Sequence, residues 1–435
     1  MLLNCLRLIV RTFFRKIVVD GRDNLPESGP VILTPNHPNS LLDPLILLTL
    51  PRRYQIRFVA KAGLFKIPQL GWLMRRIGAI PVVRRMDAEG KVDYEAFFSS
   101  CVKTLAAGES IVIFPEGQSL PQPHMKSLRT GAARLFFLAY EKGITVKIVP
   151  VGLNYERGSV FRTHVVVSIA PPIDTTTFVE NHERDPKKAV RELTDEIARA
   201  LHKHVFQTDD FRDRDLMLLL DRLYRTENTD DSWTERLRRL RKFETGFNTL
   251  RDSYSRDIEQ LRYMLSQYET QSITFEKKHG FAVSGNRLSL MRFFIVFIGL
   301  PVAVSGALFN LIPYKLCRLL VTKIKKYDES AAATYKISYS LFLFPLSFLG
   351  EGVLIHWSLG GAASIPFAIG IIPLSYFTLF YFEWLSDGGW GVTAPFKKME
   401  KIRSDLVTAR LYHLRRRIQD QVDVLAGKLD TRAGE

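Results

Sequence analysis

Three long apolar stretches in the last third of the chain set the tightest limit on what it can fold into. Residues 289–313 read SLMRFFIVFIGLPVAVSGALFNLIP, interrupted by Arg292 and Asn310. Stretches 337–358 and 362–382 follow, separated by a short Gly-rich turn. About 20 apolar residues suffice to cross the hydrocarbon core of a bilayer, so each is read as a membrane segment. A very hydrophobic helical core is the alternative. The flanking Trp384, Trp390, Lys397 and Lys398 favour the membrane, because aromatic and basic residues sit at its interfaces.

The basic residues between and after these stretches suggest a topology. Lys315, Arg318, Lys323, Lys325 and Lys326 lie in a segment read as a 314–335 loop, and Arg415, Arg416 and Arg417 lie in the tail. The positive-inside tendency puts both on the cytoplasmic side. Residues 336–382 then form a transmembrane hairpin, with Glu351 and His356 near the far interface. Parity requires 286–313 to enter and return near Pro301, or to lie in the interface. The 383–435 tail reads as basic, helical and cytoplasmic.

The rest of the chain is a different material. Its 435 residues carry 61 Lys plus Arg against 45 Asp plus Glu, a formal charge of +16. With 46% hydrophobic residues and 29 Phe, wholesale disorder is excluded. Cys5, Cys101 and Cys317 form neither a disulfide framework nor a metal-ligand spacing, which fits a reducing compartment. Residues 1–19 place Leu2, Leu3, Leu6, Ile9 and Phe13 at helical spacing between Arg7, Arg11, Arg15 and Lys16. Two readings fit: an amphipathic membrane-associated helix, or a first helix packed on the following domain. Charge interrupts the apolar run, so a cleaved signal peptide is not expected.

Residues 51–85 hold nine Lys or Arg and no acid. Such a stretch seeks anions. No recognition-helix, zinc-finger or RNP-like pattern accompanies it, so nucleic acid is not the expected partner. Membrane lipids and phosphorylated small molecules are. From about 20 to 173, apolar β-branched runs (GPVILTPNH, ESIVIFPEG, VKIVPVGLNY, THVVVSIAPP) alternate with helical stretches near 91–105 and 127–142. That is the pattern of an α/β open sheet with flanking helices. Residues 211–285 are charged and helical, and Ser232 with Glu235 has capping-box spacing.

Three groups carry chemistry. His37 and Asp43 share a loop after an apolar strand, where a carboxylate can fix an imidazole tautomer and leave the other nitrogen to accept a proton. A loop His and a helix-capping Asp is the bland alternative. Glu116 and Gly117 follow a second strand, with Lys126 and Arg129 downstream. Glu116 can accept hydrogen bonds from backbone amides or from a substrate hydroxyl, and Gly117 permits close approach of the chain to a ligand. Lys61 and Arg84 are the preferred phosphate contacts within the basic stretch, since a guanidinium matches phosphate oxygens.

These elements resemble, in order, the PlsC-type glycerolipid acyltransferases, which act on lysophosphatidate and glycerol-3-phosphate. The resemblance rests on GRDNLPESGPVILTPNH, the His37–Asp43 element, Gly78-x-Ile80-x-x-x-Arg84, FPEG and IVPVGLNY. It implies an acyltransferase domain over 20–210 with His37 and Asp43 catalytic. Lys61, Arg84, Glu116, Gly117 and Arg129 would bind substrate. It implies no metal and no cofactor beyond the acyl donor, acyl-CoA or acyl-carrier protein, and a membrane enzyme of phospholipid synthesis facing the cytoplasm. Two departures matter. Five residues separate His37 from Asp43, where the family usually has four; that resembles the branch of fungal glycerol-3-phosphate and dihydroxyacetone-phosphate acyltransferases. Gln118 stands where Thr is usual. Another lipid acceptor, or a catalytically silent membrane scaffold, are the competing readings.

Overall fold

A computed structural model describes residues 2–50, 55–83, 94–120, 122–225, 232–279, 290–325, 332–385 and 406–433. The chain divides into two compact units. The first comprises residues 1–214, 232–241 and 327–334; the second comprises 215–231, 242–326 and 335–435.

The first unit is built on a seven-stranded sheet. Its strands are β1 (Lys16–Asp20), β2 (Val31–Pro35), β3 (Ile56–Lys61), β4 (Ile80–Val82), β5 (Ser110–Val112), β6 (Lys147–Tyr155) and β7 (His164–Ile169). The spatial order is β1-β7-β6-β2-β5-β3-β4. Strands β2 to β6 run parallel, β7 is antiparallel to β6, and β1 is parallel to β7. The central strand β2 is buried at every residue, as a strand covered on both faces must be. The open α/β sheet expected from the apolar runs is present. Strands β1, β3 and β4 add to those the runs marked, and β1 takes up the last four residues, 16–19, of the segment 1–19 read as helix.

Helices cover the sheet. Ile32, Ile111 and Ile148 from three strands pack with Leu135 and Phe136 of α5 (Gly131–Glu141) and Leu193 and Ile197 of α7 (Pro186–His202). The start of α7 is legible: Pro186 occupies the first turn and the Asp185 carboxylate accepts from the amides of Lys187 and Lys188. Helix α1 (Leu2–Phe13) buries Leu6, Val10 and Phe13 and packs on α2 (Leu42–Leu47), while Leu3 and Leu8 stay exposed. One face of this helix therefore belongs to the domain. In the basic stretch, Arg57 is bound in a bidentate pair with Glu109 at 2.6 and 2.7 Å, linking β3 to the approach to β5.

The second unit is helical. Residues of α8 (Phe211–Arg225), α10 (Ser255–His279) and the tail helix α14 (Leu406–Ala433) share a core that includes Leu220, Leu261, Leu265, Leu411 and Ile418. The helix preceding α10, α9 (Trp233–Leu250), has the first half of the expected cap, with the Glu235 amide donating to Ser232 Oγ at 3.2 Å. Among the described residues, three helices are long and apolar enough to cross a membrane: α11 (Leu290–Lys325), α12 (Ala332–Leu359) and α13 (Gly361–Trp384).

Of the two forms expected for 286–313, re-entrant or interfacial, helix α11 does not take the re-entrant one. It runs without reversal through Pro301 and Pro313, and Lys315, Arg318 and Lys323 lie on helix rather than in a loop. A proline removes one intrahelical hydrogen bond but does not turn a chain back, and membrane helices tolerate it. No polar turn follows Pro301, so helix is the one way to satisfy the backbone in an apolar run. Helix α11 packs on α13 through small residues and side-chain hydrogen bonds. Asn310 Nδ2 donates to Ser375 Oγ at 2.9 Å, and Tyr381 donates to the Val296 carbonyl at 2.9 Å. A Cβ added to Gly306 would lie 3.0 Å from Leu374 Cγ, so glycine admits the close approach.

A polar cluster fastens the start of α9 to the sheet within the first unit. Glu156 accepts from His164 Nδ1 and from Arg236, each at 2.9 Å. Trp233 stacks on His164 at 3.9 Å between centroids, with the Arg236 guanidinium 4.3 Å from its ring. Burial alone would raise the Glu156 pKa, but the hydrogen bonds from His164 and Arg236 outweigh it and hold the carboxyl at about 2. A depressed carboxyl contributes stability that is present above its unfolded pKa and is lost as pH falls through its folded one. The native protein should therefore lose on the order of 2–3 kcal/mol from this group between about pH 4.5 and 2. Glu156→Gln should be less stable at pH 7 and show a flatter stability profile across that window, measured by denaturant unfolding at a series of pH values.

Candidate active site

The C-terminal edge of the parallel strands gathers the chemistry. Strand β2 ends at Pro35, and the loop Asn36 to Leu41 leads into α2. This loop is held from three sides. Asn36 lies against β6, donating to the Leu153 carbonyl at 3.2 Å and accepting from the Leu153 amide at 2.6 Å. Ser40 adopts a left-handed φ of 44°, an uncommon conformation for a residue with a side chain. Its amide donates to Ser119 Oγ at 2.7 Å. Asn39 Nδ2 donates to the Gly158 carbonyl at 2.8 Å.

Asp43, in the first turn of α2, is fully buried. Its Oδ2 accepts from His37 Nδ1 at 2.7 Å and from the Asn39 amide at 2.8 Å. Its Oδ1 accepts from the Tyr155 hydroxyl. A carboxylate facing the imidazole makes Nδ1 the protonated nitrogen, which leaves Nε2 as the base. The His37 side chain is 18% exposed, and its ring stacks on Phe114 at 4.0 Å. The structure brings together His37 and Asp43, the two residues paired along the sequence.

Tyr155 is the member it missed. Strand β6 pairs with β2 as far as Val151 opposite Pro35 and then runs on to Tyr155, which carries the hydroxyl over the end of β2 to Asp43. Burial, and then the Asp43 charge, push the Tyr155 pKa well above its usual value, so the phenol stays protonated and donates. The available signal was its place at the end of IVPVGLNY, four residues past the last pair with β2.

Glu116 is buried, and both of its oxygens face backbone. Oε1 accepts from the His37 amide at 2.7 Å and Oε2 from the Lys126 amide at 3.1 Å. Of the two uses the sequence left open, the structure displays the amides. Burial raises the Glu116 pKa, and the two amides oppose that rise. Gly117 sits at a φ of 72°, in the left-handed region that favours glycine. A Cβ there would lie 3.5 Å from Arg129 Cγ. Arg129 is exposed, and its amide donates to the Pro115 carbonyl at 2.7 Å. The Arg129 loop is thus tied to the FPEG turn, beside the His37 loop. Lys61 is exposed at the end of β3, on the same sheet edge. Arg84 lies outside the described residues. Among those residues, no group of His, Cys, Asp or Glu has the arrangement of a metal site.

This arrangement holds one imidazole in a fixed orientation by its bond to Asp43, with part of the ring open to solvent. It suits removal of a proton from an alcohol. Residues 16–154 match the family model described as Acyltransferase. The chain is 34% identical over 170 residues to the chloroplastic 1-acyl-sn-glycerol-3-phosphate acyltransferase of Arabidopsis thaliana, covering 37% of this chain and 44% of that protein. It is 25% identical over 308 residues to glycerol-3-phosphate O-acyltransferase 1 of Saccharomyces cerevisiae, covering 50% of this chain and 41% of that one. Against the crystal structure of a 1-acyl-sn-glycerophosphate acyltransferase from Thermotoga maritima, the TM-score is 0.34 at 21% identity, covering 45% of this chain and 78% of that one. The chain spans less than half the length of these two curated relatives.

Removing one donor from Asp43 should loosen the dyad without dismantling the loop. Tyr155→Phe is expected to lower the rate of chemistry about 10-fold with little change in KM, and to alter the acid limb of its pH–rate profile, where a general base must lose its proton. Unchanged kcat and profile would assign Tyr155 to packing alone. Glu116→Gln puts an NH2 group against a backbone amide donor. It should cost more than tenfold in activity and lower the thermal midpoint, both read on the purified protein.

Proposed function

We propose that this chain, a member over residues 16–154 of the PlsC-type glycerolipid acyltransferases, is a membrane-bound O-acyltransferase. It moves a fatty acyl group from acyl-CoA or acyl-carrier protein to a hydroxyl of glycerol-3-phosphate or 1-acylglycerol-3-phosphate. The observation that carries the reading is the His37–Asp43 hydrogen bond at 2.7 Å, on a half-buried loop of the matched segment.

The steps follow from the geometry. His37 Nε2 takes the proton of the acceptor hydroxyl as its oxygen attacks the thioester carbonyl. Asp43 stabilises the imidazolium that forms. The tetrahedral intermediate collapses, the carbon–sulfur bond breaks, and the imidazolium returns its proton to the departing thiolate. The protein supplies alignment of alcohol and thioester, which accounts for much of the rate. Lys61, Arg84 and Arg129 hold the acceptor phosphate. Glu116 shapes the loop by its two amide bonds, and a substrate hydroxyl can share its oxygens.

Assignment to the branch of fungal glycerol-3-phosphate and dihydroxyacetone-phosphate acyltransferases is supported by the five-residue His37-to-Asp43 spacing and by the likeness to the yeast protein. A cytoplasmic active site suits the acyl donors; with the basic end of α11 and the tail also cytoplasmic, it requires that α11 lie in the interface rather than cross. A cysteine placed in the 326–331 connection should then react with a membrane-impermeant reagent only after the cells are opened.

Purified full-length protein assayed with both donors against phosphorylated and unphosphorylated acceptors tests the whole reading. His37→Ala should lower turnover by at least 10³-fold; turnover within threefold of wild type would refute the base assignment. Arg129→Ala and Arg84→Ala should raise KM for the phosphorylated acceptor more than for the donor, and Lys at Arg84 should rescue only in part, because the planar fork is lost.

A further inference from the structure

The chain that follows α7 returns to the site from beyond the matched residues 16–154. It is first fixed to the sheet. Asn154, the neighbour of Tyr155 on β6, donates through Nδ2 to the His204 carbonyl at 2.9 Å and accepts the Phe206 amide through Oδ1 at 2.8 Å. Gly152 leaves room for this, since a Cβ there would strike the His204 carbonyl. Residues 204–206 are thus an extension of the rigid sheet, and the next side chain, Gln207, is buried at 8% exposure.

Gln207 meets the loop 122–130, which leaves the FPEG turn and carries Lys126 and Arg129. Its Oε1 accepts from the Met125 amide, 82 positions away, at 3.2 Å. The following amide, that of Lys126, donates to Glu116, whose other oxygen accepts the His37 amide. Two consecutive amides of one loop are therefore held by two side chains, one preceding the loop in sequence and one following it. Backbone of the 207–209 segment adds to the hold. The Thr208 amide donates to the Pro123 carbonyl at 2.9 Å, and His124 Nδ1 donates to the Asp209 carbonyl at 3.2 Å.

The orientation of the Gln207 amide is determined. A backbone amide only donates, so the Gln207 oxygen faces Met125 and its NH2 group faces His202 Nδ1, which accepts. A reversed amide would set donor against donor at Met125 and acceptor against acceptor at His202. Burial lowers the His202 pKa, which favours the unprotonated Nδ1 that this arrangement needs.

We propose that Gln207 is a positioning residue for the acceptor: by holding the Met125 amide it sets the loop of Lys126 and Arg129 in register with His37. This rests on the reading that the Arg129 loop holds the acceptor phosphate. His37 keeps its own brace on Asp43, so loss of Gln207 acts on acceptor binding rather than on the chemical step.

Full-length protein in detergent is compared as wild type, Gln207→Met and Gln207→Glu. Methionine fills the same space without a strong acceptor. Glutamate keeps an oxygen for the Met125 amide, and its second oxygen accepts from His202 once the ring proton moves to Nδ1. Hydrogen–deuterium exchange of the Met125 and Lys126 amides should rise about tenfold in Gln207→Met and stay within about twofold of wild type in Gln207→Glu. In Gln207→Met, KM for the phosphorylated acceptor should rise about fivefold, with kcat and the acyl-donor KM within about twofold. The bonds at Pro123 and His124 remain, so the fold should persist, checked by the thermal midpoint. Unchanged exchange in Gln207→Met, or a tenfold rise in Gln207→Glu, would overturn the proposal. An equal rise in both KM values, or a fall in kcat in step with the thermal midpoint, would also overturn it by making the role structural only. Arg129→Ala separates the two readings: an acceptor KM raised there but not in Gln207→Met sinks the positioning role alone, and an acceptor KM raised in neither sinks the phosphate-holding reading of the loop with it.

Discussion

The buried carboxylate of Asp43 is the constraint on which the site depends. A charge without solvent is costly unless hydrogen bonds replace the water. Here three donors do so: an imidazole, a backbone amide and a phenol. The imidazole and the amide come from the loop between β2 and α2, and the phenol from the end of β6. Satisfying one carboxylate therefore fixes the position of all three. The histidine is oriented because the alternative would leave a buried charge short of a partner.

A second carboxylate does the same work for the neighbouring loop. Glu116 joins the amide of His37 to the amide of Lys126, so the two loops that leave β2 and β5 are coupled through backbone. Parallel strands make this possible. Adjacent parallel strands end on the same edge, and their loops emerge side by side. A residue whose side chain completes another loop's backbone acts by shape, whether or not it also meets substrate.

The membrane helices obey a different rule. Where no water is available, helix satisfies the backbone regardless of isolated prolines. Helix α11 accordingly continues through Pro301 and Pro313, against the turn that charge parity suggested. Asn310, which interrupts the apolar run, is the residue that bonds to Ser375 on α13. A polar residue in such a run is informative about partners rather than about turns.

Much of this protein was legible along the chain. Apolar β-branched runs announced strands β2, β5, β6 and β7, because a strand buried on both faces must be apolar throughout. Apolar length announced three membrane-compatible helices, and local spacing paired His37 with Asp43. Strands β1, β3 and β4 were not legible, since edge and near-edge strands carry mixed polarity, as KIVVD and IRFVAK do. Tyr155 was illegible for another reason. It lies 112 positions from Asp43, and their meeting follows from the register of β6 on β2, which sequence spacing does not encode. Periodicity and local spacing report what lies within a few residues. Which distant side chains share a carboxylate is decided by strand order and direction.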